Sequence, residues 1–136
     1  MTRPAVLIVG DEVRLARTIE LYLGQRGFTV RIASNGQEAL ERIAEAVPDV
    51  IVTDVMMPVM DGYALCRRLR ADSATGAIPF LFLTARDHER DRGRDLEMGP
   101  AEYLAKPCDL AELYACVYAL MVSRSAGSVV SQATEK

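Results

Sequence analysis

Five residues with oxygen or nitrogen functional groups follow apolar runs in this chain. Asp11 and Glu12 come after the run at 5–9, Asp54 after 49–53, Thr84 after 79–83, and Lys106 shortly after 101–104. Brought together, they would set two or three carboxylates beside one hydroxyl and one ammonium. Clustered carboxylates repel each other, and a hard divalent cation relieves the repulsion by taking oxygen ligands. Mg2+ suits such a set because it uses few carboxylates and keeps several waters. A lysine and a hydroxyl beside that cation add donors for a dianionic phosphoryl group, whose transfer depends mainly on positioning and charge neutralisation. At an effective dielectric of about 20, an ammonium about 4 Å from one negative charge gains about 4 kcal/mol before desolvation. A carboxylate not committed to the metal can then act as nucleophile and form an acyl phosphate.

These side chains can meet only if the runs before them are neighbouring strands. The runs at 5–9, 49–53 and 79–83 are almost continuously apolar, as strands covered on both faces should be. Those at 28–32 and 101–104 read as edge strands. Between the runs lie apolar stripes with helical period. Leu15, Ile19, Tyr22 and Leu23 form the first, with Gly27 as its stop. Ala39, Leu40, Ile43, Ala44 and Val47 form the second, between Asn35 and Pro48. Leu65 and Leu69 mark a third, and Leu110, Leu113, Tyr114, Val117 and Met121 the last, with Asp109 as N-cap. Alternating strand and helix predicts an α/β fold with a doubly wound parallel sheet and helices on both faces. In such sheets ligands bind beyond the carboxyl ends of the strands, where the winding reverses.

Two stretches stand apart. Residues 86–97 have Leu96 as their only large apolar side chain and Gly93 in their interior, which costs a helix about 1 kcal/mol relative to alanine. A weakly docked fourth helix is expected there. Residues 123–136 are small and polar without a sustained period, and are expected to form a disordered tail or linker stub.

Composition narrows the function. The chain has 136 residues, half of them apolar, enough for one domain with a real core. A net charge of -3 gives no case for a nucleic-acid-binding surface. No apolar stretch approaches the roughly 18 residues of a membrane span. Cys66, Cys108 and Cys116 are odd in number and lack CxxC spacing, which points to reduced thiols in a cytoplasmic protein.

At the residues singled out first, the sequence resembles the receiver domain of two-component response regulators. The matching blocks are Val-Leu-Ile-Val-Gly-Asp-Glu at 6–12, Thr-Asp-Val-Met-Met-Pro-Val-Met-Asp-Gly at 53–62, Leu-Thr-Ala-Arg-Asp at 83–87 and Tyr-Leu-Ala-Lys-Pro at 103–107. The resemblance spans about residues 4 to 122. It implies a flavodoxin-like five-stranded sheet in the order 2-1-3-4-5, with a receiver domain over 1–122 and the tail over 123–136. It also implies roles for single residues. Asp54 would be the phosphoacceptor, and Asp11, Asp54 and the Met56 backbone carbonyl would hold Mg2+. Thr84 would hydrogen-bond the phosphoryl group, Lys106 would pair with it, and Tyr103 would turn inward on activation. Lys106–Pro107 would be a cis peptide. The implied partners are a sensor histidine kinase or phosphotransfer protein upstream and a protein target downstream, with no membrane and no direct DNA binding by this chain. Phosphorylation would switch the face made by the fourth helix, fifth strand and last helix, which leaves room for a phosphorylation-dependent homodimer. Such a domain assists its own phosphotransfer and dephosphorylation without being an enzyme for another substrate.

Three positions depart from the family pattern. Gly10 stands where a first acidic residue usually holds the metal, Cys108 replaces a phenylalanine, and Gly93 replaces an aliphatic residue. Losing an outer metal partner typically costs about 10–100-fold in affinity, and Glu12 is the candidate to compensate. Gly10 keeps alive a second reading, a pseudo-receiver that binds partners with little or no phosphorylation. A phosphate-ester hydrolase is disfavoured, because haloacid-dehalogenase-like enzymes need a second Asp where Met56 stands. Plainer readings cover the rest. Asp61-Gly62 reads as a turn into the third helix, and Met56, Met57 and Met60 as loop packing. His88 reads as a surface residue, and Tyr114 and Tyr118 as core packing or a docking face.

Overall fold

The computed structural model of the chain describes residues 3–85 and 99–125. Five strands, β1 (Ala5–Val9), β2 (Thr29–Ala33), β3 (Val50–Asp54), β4 (Phe80–Ala85) and β5 (Ala101–Lys106), alternate with helices. The helices are α1 (Val13–Gln25), α2 (Gly36–Glu45), α3 (Gly62–Arg70) and α4 (Leu110–Ser125). All strand pairs are parallel, in the order β2-β1-β3-β4-β5. The two runs read as edge strands are the edges, and the three continuously apolar ones the centre. The expected weak helix at 86–97 and His88 lie outside the described residues. Helix α4 continues to Ser125, past the boundary read at 122, and residues 126–136 lie outside the described residues.

Side chains alternate across each strand, so the apolar runs feed two cores. Val6, Ile8, Val50, Val52, Leu81 and Leu83 pack against Ile19 and Leu23 of α1 and Leu113 and Val117 of α4. On the opposite face Leu7, Val9, Ile51, Phe80 and Phe82 meet Ala39 and Ile43 of α2 and Leu65, Cys66 and Leu69 of α3. Each fully buried large apolar side chain contributes about 1.5–3 kcal/mol. With α1 and α4 on one face and α2 and α3 on the other, the winding reverses between β1 and β3. The carboxyl ends of those strands lead into Asp11 and carry Asp54.

Local caps hold the helices in register with the strands. Asn35 Oδ1 accepts from Glu38 N at 2.8 Å, and Glu38 Oε1 accepts from Ser34 N at 2.6 Å. Those bonds from Ser34, with the nearby Arg42 charge, hold the Glu38 carboxyl below its ordinary pKa. Asp61 Oδ1 caps α3 by accepting from Ala64 N at 2.8 Å, and Asp109 Oδ1 accepts from Ala111 N at 3.1 Å at the start of α4. A cap of this kind is worth about 1 kcal/mol.

Candidate functional site

The site lies where β1, β3, β4 and β5 end. Asp54 closes β3 and is only 4% exposed, because α3 begins directly over the loop that follows it. Gly62 N donates to Val55 O at 2.8 Å, and a Cβ at position 62 would come within 2.4 Å of the Asp54 backbone oxygen. The Asp61-Gly62 pair, read from sequence as a turn into the third helix, is a cap followed by the residue that lets helix and strand touch.

Lys106, at the end of β5, brings its ammonium to this carboxylate. Its Nζ donates to Asp54 Oδ1 at 3.3 Å and to Glu12 Oε1 at 3.1 Å. Burial is the largest influence on the Asp54 pKa and, with the charges of Glu12 and Asp11, raises it against the charge and hydrogen bond of Lys106. Burial works against the Lys106 charge, but the hydrogen bonds and fields of Glu12 and Asp54 outweigh it and raise that pKa as well. Negative charge is therefore in excess around Asp54.

Thr84, one residue before the end of β4, is 1% exposed, and its Oγ1 finds no hydrogen-bond partner among the described residues. A buried hydroxyl left unpaired normally costs about 1–3 kcal/mol, so its presence beside this group of charges points to an incoming acceptor. Tyr103, on β5 opposite Phe82, stacks on that ring at 5.2 Å. Phe82 in turn meets Tyr63 of α3 at 5.0 Å, an aromatic row that lies next to the strand ends. Lys106–Pro107 is cis.

The structure thus brings Asp54, Lys106 and Glu12 into direct contact and sets Asp11 within electrostatic reach. Among the described residues no three His, Cys, Asp or Glu side chains form a closed metal cage. Asp11 and Asp54 beside an unneutralised negative charge fit a hard, mostly hydrated cation such as Mg2+, which needs few protein ligands. Gly10 shapes the same spot. An added Cβ would lie 2.6 Å from Asp54 Oδ2, so the carboxylate occupies the space of the missing side chain. Beside Lys106 opens a cleft of about 510 Å3 whose wall includes Arg14, Pro107 and Cys108. Burial pushes the Cys108 thiol pKa up, so the cleft carries a neutral sulfur at pH 7.

Two features were not legible beforehand. The Glu12–Lys106 contact joins residues 94 apart in sequence with no local signal. The methionine loop is also only partly packed: Met57 and Met60 lie against the core, whereas Met56 is exposed. In the same loop Val59 has φ 75° and is 86% exposed. A left-handed backbone costs a side chain about 1–2 kcal/mol and a β-branched one no less. Val59→Gly should stabilise the fold by about 0.5–1 kcal/mol after the entropy glycine adds to the unfolded chain. Urea unfolding checks this through a raised midpoint at constant slope.

Comparison with known proteins agrees with this fold. The family model of the response regulator receiver domain matches residues 6–118. The response regulator MprA of Mycobacterium ulcerans is 43% identical over 116 residues, covering 85% of this chain and 49% of that protein. The chain spans about half the length of the curated relatives it matches. The chemotaxis response regulator CheY4 of Vibrio cholerae superposes with a TM-score of 0.80 at 29% identity, over 88% of this chain and 99% of that one. The receiver domain of a signal transduction histidine kinase from Syntrophus aciditrophicus gives 0.79 at 36% identity, over 88% and 91%. No helix of the described residues is long and apolar enough to cross a membrane.

Proposed function

Since the chain belongs to the response regulator receiver domain family and is the receiver domain of a response regulator in two-component signalling, we propose that Asp54 is its phosphoacceptor. The observation that carries this reading is a buried carboxylate held at 3.3 Å by a lysine 52 residues further along the chain. An Asp54 oxygen attacks the phosphorus of a phosphohistidine. The P–N bond breaks with its electron pair on the imidazole nitrogen, and an acyl phosphate forms on Asp54. The Lys106 ammonium offsets the charge of the transferred group, and the Thr84 hydroxyl, without a partner among the described residues, donates to a phosphoryl oxygen. Asp11, Asp54 and the Met56 carbonyl would hold Mg2+, which would supply further charge neutralisation.

The donor is a histidine kinase or phosphotransfer protein, and the phosphorylated domain acts on a protein target in the cytoplasm. Thr84 and Tyr103 lie on adjacent paired strands, so a change at the first can be passed to the second and on to the surface around β5. A second reading, a binding module without phosphorylation, draws on Gly10 and on the Asp54 oxygen that fills its place.

Incubation with acetyl phosphate across a Mg2+ titration, followed on phosphate-retarding gels and by amide NMR, separates the two. Modification at millimolar Mg2+ that vanishes in Asp54→Asn is expected. A folded protein that stays unmodified at high Mg2+ overturns the phosphoacceptor reading in favour of the binding module.

A further inference from the structure

Glu12 starts α1 with its backbone, whose carbonyl accepts Ala16 N at 3.0 Å, but its side chain makes no capping bond. The carboxylate instead crosses the strand ends to accept a hydrogen bond from Lys106 Nζ at 3.1 Å. The same ammonium donates to Asp54 Oδ1. A lysine head group is a point charge on a flexible four-carbon stem. One acceptor leaves it free to swing, whereas two acceptors on separate segments, the N-cap of α1 and the end of β3, fix where it sits. The two oxygens of Asp54 also face different neighbours. Oδ1 is turned to Lys106 and hence to Glu12, while Oδ2 is turned to the empty side-chain position of Gly10. The space left by the missing acid thus lies nearest Oδ2, whereas the ammonium that Glu12 binds sits on Oδ1.

We propose that Glu12 is a positioning residue for Lys106, holding its ammonium beside Asp54 before the phosphoryl group arrives, and is not a substitute metal ligand for the acid absent at position 10. The assignment rests on the phosphoacceptor reading of Asp54. It leaves Mg2+ to two carboxylates, and it gives the Asp-Glu pair at 11–12 divided duties, the first toward the metal and the second toward the lysine.

The experiment compares wild type, Glu12→Gln and Glu12→Ala in three readouts. These are the Mg2+ Kd from an amide NMR titration, the 15N signal of the Lys106 ammonium, and the rate of modification against acetyl phosphate concentration. Less than threefold change in Mg2+ Kd is expected in both variants. In Glu12→Ala the Lys106 signal should shift and the maximal rate fall about tenfold, the scale on which supporting partners act. Glu12→Gln, which keeps an acceptor oxygen, should recover most of that rate. A loss of Mg2+ affinity of tenfold or more in Glu12→Gln overturns the assignment and makes Glu12 a metal ligand. An unchanged rate and unchanged Lys106 signal in Glu12→Ala overturn it as well. Wild type that binds Mg2+ yet takes no phosphoryl group defeats the phosphoacceptor reading instead, and the proposal falls with it.

Discussion

Asp54→Asn should abolish phosphoryl acceptance and at the same time make the domain more stable at neutral pH. The amide has no nucleophilic oxygen that can form an acyl phosphate, so modification should fall below detection. The stability gain has a separate cause. Asp54 is buried beside two other carboxylates, and its pKa is raised in spite of Lys106. Keeping it ionised at pH 7 thus works against folding. Asn fills the same volume and still offers an acceptor oxygen to Lys106, which keeps Glu12 as its charged partner. Relief of strain at a functional site commonly yields about 1 kcal/mol, which corresponds to about 4 °C in Tm for a domain of this size.

The pH dependence gives the sign independently. A carboxyl with a raised folded-state pKa binds its proton more tightly in the native than in the unfolded chain. Its contribution to stability is full below the unfolded pKa and is lost as pH rises through the folded one. The advantage of Asp54→Asn over wild type should therefore be largest at neutral pH and shrink as pH falls toward the ordinary carboxylate range. Urea titrations of both proteins at several pH values measure this. An Asn variant that is less stable at pH 7 would mean that the Lys106 contact outweighs the burial of the charge.

Gly62→Ala should cost about 3 kcal/mol, the upper end of what overpacking a filled site costs, and should displace the phosphoacceptor. The new Cβ would lie 2.4 Å from the Asp54 backbone oxygen and 3.2 Å from Val55 Cα, atoms of a buried strand end that cannot rotate aside. Either α3 lifts, breaking the 2.8 Å bond from Gly62 N to Val55 O, or the end of β3 moves and takes the Asp54 carboxylate with it. Helix propensity alone predicts the reverse, a gain of about 1 kcal/mol. Gly24→Ala in α1 supplies the control, since nothing lies within 4 Å of its added Cβ and only the propensity gain should appear. Urea midpoints of the two variants moving in opposite directions are the expected result. A neutral or stabilised Gly62→Ala would show that the close approach of α3 to β3 is not needed.

The sequence by itself determined the alternation of strands and helices, the covered strands against the edge strands, the cap at Asp109, the helix boundary at Asn35 and the turn at Asp61-Gly62. It also placed Asp11, Asp54, Thr84 and Lys106 at strand ends that an open parallel sheet sets side by side. All of these follow from periodicity and from residues within a few positions of each other, where the backbone alone fixes which side chains can meet. Tertiary structure alone decided that Glu12 turns to Lys106, that Asp54 Oδ2 fills the space left at Gly10, and that Thr84 is buried without a hydrogen-bond partner among the described residues. It also decided that Gly62 is needed for contact as well as for a turn. Those outcomes depend on strand register and on the distance between α1, α3 and the sheet. Register is set by packing both faces of the sheet at once, between residues far apart in the chain, and no local pattern carries that information.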